Sequence, residues 1–399
     1  MKLFRLEAER AFPSVAGYSI VQLCAGVINI WSVFQLPVTN TFGWEYGSVV
    51  LVSSIFMFAF VTGGFLNGLL ASRYHPRYIC YLGTILYSGG FFLSSLLRGG
   101  SVWSMYFTYS ILVGIGSGII NNTALFGVMT WLPRKKGVAT GLGTSWFNLS
   151  AIVLSALILK LLGIMALTDV FKVLSIGSLV LMLIGSTMVC VPSSKKIASM
   201  NAPESAWTGK TLSQALRDAR FWLIALLIFL FCGSWSVIIP IVKPLGMLRG
   251  LSEPLAGATV SLCGLMMILG KLVLGPLSDM IGRRNALFIS CMASGCGAVM
   301  LIFGTGWVYM IGVWLPAFSY ASGGSIVPTM VSDRFGHLHS GAIYGATFYG
   351  AAISSLIINK LSTVINASGA TTGNYTFTFI LCIAISAAAA ITVYVIDRL

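Results

Sequence analysis

The chain has 399 residues, 57% hydrophobic and only 9% charged, with a formal net charge of +14. A soluble domain carries roughly 25% charged residues, so a mean hydropathy of +0.92 leaves too little polar surface to coat a water-soluble globule and places the chain in a lipid bilayer. That excludes the nucleic-acid partner a basic soluble protein would suggest. The excess cations instead report which side the loops face.

The first ten residues mix both charge signs and lead into about 25 apolar residues, too many for a signal-peptide core and enough for a first spanning helix. At about 20 apolar residues per span, twelve are expected: 14–38, 47–71, 78–97, 103–131, 138–160, 168–191, 219–243, 254–277, 285–304, 306–330, 341–361 and 374–396. Between the sixth and seventh, the polar stretch 192–218 carries two prolines and ends in a short amphipathic helix near Leu212. It divides the chain into a six-helix bundle at 1–191, a linker at 192–218 and a second six-helix bundle at 219–399. An even helix number puts both termini on one side. All but seven of the 24 Lys and Arg residues fall there, so the positive-inside rule makes that side cytoplasmic and the expected location a plasma (inner) membrane. The eight cysteines are scattered through apolar segments without C-x-x-C spacing and read as small hydrophobic filler, with no disulfide or metal site.

The two halves echo each other. Trp31-Ser-Val33 recurs as Trp235-Ser-Val237, an offset of 204, and Gly137 matches Gly341 at the same offset. The stretch Gly68-Leu-Leu-Ala-Ser72-Arg73-Tyr-His75-Pro-Arg77 recurs as Gly275-Pro-Leu-Ser-Asp279-Met-Ile-Gly282-Arg283-Arg284, an offset of 207. Matches at nearly one offset point to a duplicated six-helix unit. The Gly275–Arg284 stretch reads as a polar turn after the eighth span. Its glycines let a helix pack close to a neighbour, and Asp279 with Arg283 or Arg284 forms a charge cluster able to lock one conformation and break in another.

In these residues the chain resembles the major facilitator superfamily over its whole length. The second copy of the turn is the family's most specific signature. The first is degraded, with Ser72 where Asp is usual and His75 where Gly is usual. Within the family, Gly26-Val-Ile-Asn29-Ile-Trp31 through Pro37, Trp131-Leu-Pro, Arg220-Phe-Trp, Ser332-Asp333-x-Phe-Gly336 and Tyr344-Gly are similar to the oxalate/formate antiporter and monocarboxylate branch. The resemblance implies an all-α integral membrane fold of twelve transmembrane helices in two pseudo-symmetric bundles. It also implies that Asp279, Arg283, Arg284 and the first-copy Arg73 serve conformational gating.

Lys271 lies eight residues before Asp279, about 12 Å along a helix, and so falls near mid-membrane. An ionisable group there is a functional-site hypothesis by default. The resemblance puts Lys271 where the family's helix-8 arginine binds substrate carboxylate. Lysine keeps that charge but lacks the bidentate fork, and its alternative role is structural pairing or snorkelling. The oxalate-type second cation falls on Thr347, so one central cation suits one carboxylate better than two. None of the ten acidic residues lies deep in an expected span, and the three histidines at 75, 337 and 339 are in loops, so no built-in proton relay is visible. Asn29, Tyr320 and Tyr344 fall where the family places cavity residues. Asn121, Asn122, Trp146 and Trp235 are further polar or amphipathic groups in spans, where an Asn needs a partner. Gly114-x-Gly116-x-Gly118 reads as small-residue helix packing rather than a nucleotide loop, because no soluble strand precedes it.

The expected function is transport of a small organic anion, foremost a monocarboxylate such as formate, lactate or pyruvate, by alternating access around Lys271. The expected substrate-binding set is Lys271, Asn29, Tyr320, Tyr344, Thr347 and Asn121, in a functional monomer with the bilayer as its other partner and no cofactor. One alternative is a carrier of neutral or larger amphipathic solutes with Lys271 structural. Another is a membrane sensor, against which stands the lack of an appended soluble domain. Without a nucleophile–base pair or metal-ligand cluster, the chain does not read as an enzyme.

Overall fold

The computed structural model describes residues 7–193, 196, 209–372 and 375–399, apart from the side chains at 28, 29, 359, 363 and 366–372. Each apolar run expected to span a membrane is helical. Helix α1 runs Phe12–Ala25, tightens into a 3-10 turn over Gly26–Ile30 and resumes as Trp31–Phe42. It is followed by α2 (Tyr46–Leu70), α3 (Pro76–Ser95), α4 (Trp103–Trp131), α5 (Lys136–Leu162) and α6 (Leu167–Met188). The second half holds α7 (Ala219–Leu248), α8 (Glu253–Ile281), α9 (Arg283–Phe303), α10 (Gly306–Phe335), α11 (Ser340–Thr347 continued by Tyr349–Thr372) and α12 (Thr376–Arg398). Among the described residues ten of these are long and apolar enough to cross a membrane. The other two are the interrupted α1 and α3, whose 20 residues include Arg77, Thr84, Ser88 and Ser94. The only strand pairing among the described residues longer than an isolated bridge is a parallel two-residue pair, β1 (Glu7–Ala8) on β2 (Val191–Pro192). Most of the 192–218 linker lies outside the described residues, but its closing helix is present at Leu212–Leu216. Asp218 then caps α7 by accepting from the Arg220 N–H at 3.0 Å.

Two sequence expectations are corrected here. The stretch from Gly275 is not a turn: α8 continues through Pro276, Ser278 and Asp279 to Ile281 and stops at Gly282, whose φ of 89° suits glycine. A proline inside a spanning helix is tolerated because surrounding groups re-satisfy the freed backbone. Likewise α10 carries Ser332 to Phe335 in its last turn and ends at Gly336, with φ 84°. Two interruptions carried no sequence signal: the 3-10 turn of α1 and a π-helical stretch at Tyr106–Val113 in α4. At the first, Gly26 lies against the Phe147 carbonyl and Ser150 of α5, where any β-carbon would collide.

The helices gather into two units. Unit 1 comprises Met1–Arg134, Gly143–Leu212 and Ser332–Ala346; unit 2 comprises Lys135–Leu142, Ser213–Val331 and Thr347–Leu399. Unit 1 is filled by aromatic rings: Tyr109 meets Trp31 at 4.6 Å and Phe56 at 5.5 Å, and Phe171 meets Phe34 at 5.3 Å. Trp31 is thus a core residue, its indole N–H donating to the Val49 carbonyl. Unit 2 is tied by buried hydroxyls, with Ser294 of α9 joining Ser234 of α7 and Ser386 of α12, and Ser290 joining Ser319 and Ser322 of α10. Such small polar contacts replace the hydrophobic drive that is missing between helices in lipid.

Candidate functional site

In unit 2, glycines set the position of α8. Gly270 presses against the Phe318 carbonyl of α10, and Gly275 and Gly137 meet backbone to backbone, bringing the first turn of α5 alongside. Between these contacts Lys271 is 8% exposed. Its Cε and Nζ lie 3.4 and 3.6 Å from the place a β-carbon on Gly324 would occupy, so the absent side chain at 324 makes room for the ammonium group. Tyr320 is one turn before Gly324 and so on the same face of α10. It is partly exposed, and its ring stands 6.4 Å from Trp235 of α7. Unit 2 therefore gathers a cation, a phenol and an indole on α8, α10 and α7. Thr347, also in unit 2, is fully buried.

Asn121 and Tyr344 belong to unit 1. Asn121 is partly buried and its Oδ1 accepts from Gln22 Nε2 at 3.3 Å. Sequence reasoning passed over Gln22, which is fully buried with its Oε1 lacking a hydrogen-bond partner. A glutamine inside the first apolar span was the available signal. Tyr344 is buried, with its ring 5.9 Å from Phe126. The side chain of Asn29 lies outside the described residues.

A profile described as the Major Facilitator Superfamily matches residues 17–359. The chain belongs to this superfamily. The facilitator is 22% identical over 346 residues to an uncharacterized MFS-type transporter, YhjX, of Escherichia coli strain K12, covering 86% of this chain and 85% of YhjX. It is 24% identical over 373 residues to the oxalate:formate antiporter of Oxalobacter formigenes, covering 90% and 86%. Solved structures share the fold: the proton:xylose symporter XylE has a TM-score of 0.76 at 13% identity, covering 96% of this chain and 95% of XylE. FucP in the outward conformation scores 0.72 at 14% identity, covering 96% and 98%. The protein is therefore a multi-pass membrane transporter of a small solute.

The signature residues of this facilitator have definite partners. The Asp279 carboxylate accepts from the backbone N–H groups of Gly137 and Val138 at 3.0 and 3.1 Å, at the start of α5, and pairs with Arg283 at 2.5 Å. It thus supplies from another helix the cap that the first turn of α5 needs, and places negative charge at the positive end of that helix dipole. Arg283 also donates to Ser278 Oγ at 2.6 Å. Arg284 does not join this cluster: it pairs with Asp397 at 3.0 Å and stacks near Phe288 and Tyr394. Arg73 is exposed, and Ser72, at the place equivalent to Asp279, donates to the Leu69 carbonyl.

Proposed function

We propose that this facilitator carries small organic anions, foremost monocarboxylates of the formate, lactate and pyruvate type, by alternating access, with Lys271 binding the carboxylate. The supporting observation is a lysine deep within a 29-residue spanning helix whose ammonium group occupies room kept open by Gly324, one turn from Tyr320. A cation retained in such a place at a desolvation cost is best explained by an anion that visits it. The oxalate:formate antiporter among the relatives favours the same class of cargo. Asn29, Asn121, Tyr320, Tyr344 and Thr347 complete the proposed binding set, and Asp279 with Arg283, Arg284 and Arg73 the gating set. The proposal also takes 1–191 and 219–399 as pseudo-symmetric bundles joined by a linker, working as a monomer in a plasma (inner) membrane with both termini cytoplasmic.

With threonine at 347, a dianion would leave one carboxylate without a charged partner. Removing one partner of a buried charge pair costs about 2–5 kcal/mol, so a monoanion is expected to bind at least about tenfold more tightly. Uptake of labelled formate and lactate into proteoliposomes, with oxalate as competitor, tests this. Lys271→Gln should abolish anion uptake while reaching the membrane normally, and Lys271→Arg should retain part of it. Full uptake by the Gln variant removes the lysine from the mechanism, and oxalate inhibition equal to that by formate removes the monoanion preference.

A further inference from the structure

We propose that Asn122 and the Thr130–His337 pair are positioning residues for transport: they latch the Ser332–Ala346 segment onto α2 and α4, and letting go of that segment is a step of the cycle. The proposal rests on the alternating-access reading but not on the identity of the cargo.

The latch is built from close backbone contact. Gly68 of α2 lies against the backbone of Gly341 and Ala342, and Gly345 against Gly64 and Phe65, with no room for a β-carbon at Gly68 or Gly345. Carbonyls of α2 and α11 consequently come within reach of one side chain. Asn122 of α4, 2% exposed, donates through Nδ2 to the Gly64 carbonyl and, at 3.1 Å, to the Gly341 carbonyl. A primary amide, with two N–H donors on one nitrogen, can hold two elements this way. About two turns further along α4, Thr130 Oγ1 meets His337 Nε2 at 3.1 Å, while His337 Nδ1 lies 3.3 Å from Ser332 Oγ. The His337 ring stands 6.2 Å from Phe126, against which Tyr344 also packs.

A second observation separates a latch from ordinary packing. Asn122 Oδ1 is buried and has no hydrogen-bond partner, although the amide's nitrogen side is fully used. Asn122 lines a cavity of about 220 Å³ together with Asn67, Thr130, His337 and Ser340. That is room for several water molecules beside polar groups that can hold them. When the segment leaves, water already has a place from which to take over the Gly64 and Gly341 carbonyls and the amide. Release then exchanges protein hydrogen bonds for water ones instead of orphaning buried groups.

The sequence repeat gives the latch its meaning. Gly137, the equivalent of Gly341, is held in unit 2 by the Asp279 carboxylate. Unit 1 lacks that carboxylate, since Ser72 stands in its place and bonds locally. An amide from α4 holds the corresponding segment by a different group, the Gly341 carbonyl instead of the N–H.

The test uses Ser340, which is fully buried. Ser340→Cys should react with a membrane-impermeant maleimide only when the segment is released, measured in proteoliposomes against the parent protein's own thiol labelling. Asn122→Ala should raise that labelling rate about tenfold, the order expected for losing two ordinary hydrogen bonds. Asn122→Asp keeps the shape but has no donor, so it should behave as the Ala variant. Thr130→Val should shift labelling in the same direction by less. For uptake, the maximal rate should change while half-saturation stays put. Labelling unchanged in all three variants overturns the proposal. So does an Asp variant that matches the parent while the Ala variant labels fast, since packing alone would then be responsible. Because labelling needs no substrate, a wrong assignment of cargo would fail in uptake and leave this readout intact.

Discussion

Replacing Asp279 by alanine removes three interactions at once: two backbone N–H donors at the start of α5 and the Arg283 guanidinium. The two charged side chains are 13% and 20% exposed, so solvent screens them little. A hydrogen bond to a charged group contributes about 1.5–3 kcal/mol, and loss of a helix cap about 0.5–2 kcal/mol. The three share one carboxylate and do not add fully, which puts the combined loss at about 2–4 kcal/mol. At tenfold per 1.4 kcal/mol, the lower end is roughly a 30-fold rise in how often the first turn of α5 opens. Hydrogen exchange followed by mass spectrometry on 136–142 reads that directly. Transport kinetics should show a changed maximal rate with half-saturation nearly constant, and Asp279→Asn, which keeps one acceptor oxygen, should fall between. Exchange at 136–142 that matches wild type in Asp279→Ala, together with an unchanged maximal rate, would refute the capping argument.

Gly137→Ala should loosen the same place by another route, since its β-carbon would strike the Gly275 carbonyl and lie 2.9 Å from Asp279 Oδ2; overpacking of about 1–3 kcal/mol is expected, read as faster exchange at 136–142. At Gly324, alanine would make only ordinary contact with Lys271, so half-saturation for the transported anion should stay close to wild type. Gly324→Val should crowd out the ammonium group and weaken half-saturation at least about tenfold, as uptake titrations would show. Arg249 donates to the carbonyls of Gly304 and Ile302 at the end of α9 and lies 5.8 Å from Tyr309 and 5.9 Å from Phe379. Arg249→Ala should lower the melting temperature in detergent by about 5 °C, at about 2–4 °C per kcal/mol for a unit of this size, and Arg249→Lys should recover little because lysine lacks the planar fork.

The twelve helices were legible because a spanning segment must satisfy its backbone internally and face lipid with apolar side chains, so length and composition suffice. Helix ends were less so. Pro276 and the polar residues after it look like a turn, yet α8 runs on to Ile281, and Asp279 in its last turn is held by Gly137 and Val138 from a part of the chain 142 and 141 residues away. For the candidate site, Lys271 was legible as a lone charge in an apolar run, and Tyr320 proves to share a helix face with the glycine that makes room for it. What the sequence hid depends on partners from other helices. Gln22 with Asn121 is one example, and Asn122 reaching the Gly341 carbonyl is another.

The boundary inside α5 falls after Leu142 and the one inside α11 after Ala346, 204 residues apart, the same interval that separates Trp31 from Trp235. Each of these two helices begins in one unit and finishes in the other. For biosynthesis this has a definite consequence: the contacts of Gly341 and Ala342 with Gly68 and Asn122 can form only once Ser332–Ala346 has been made, long after α2 and α4 have left the ribosome.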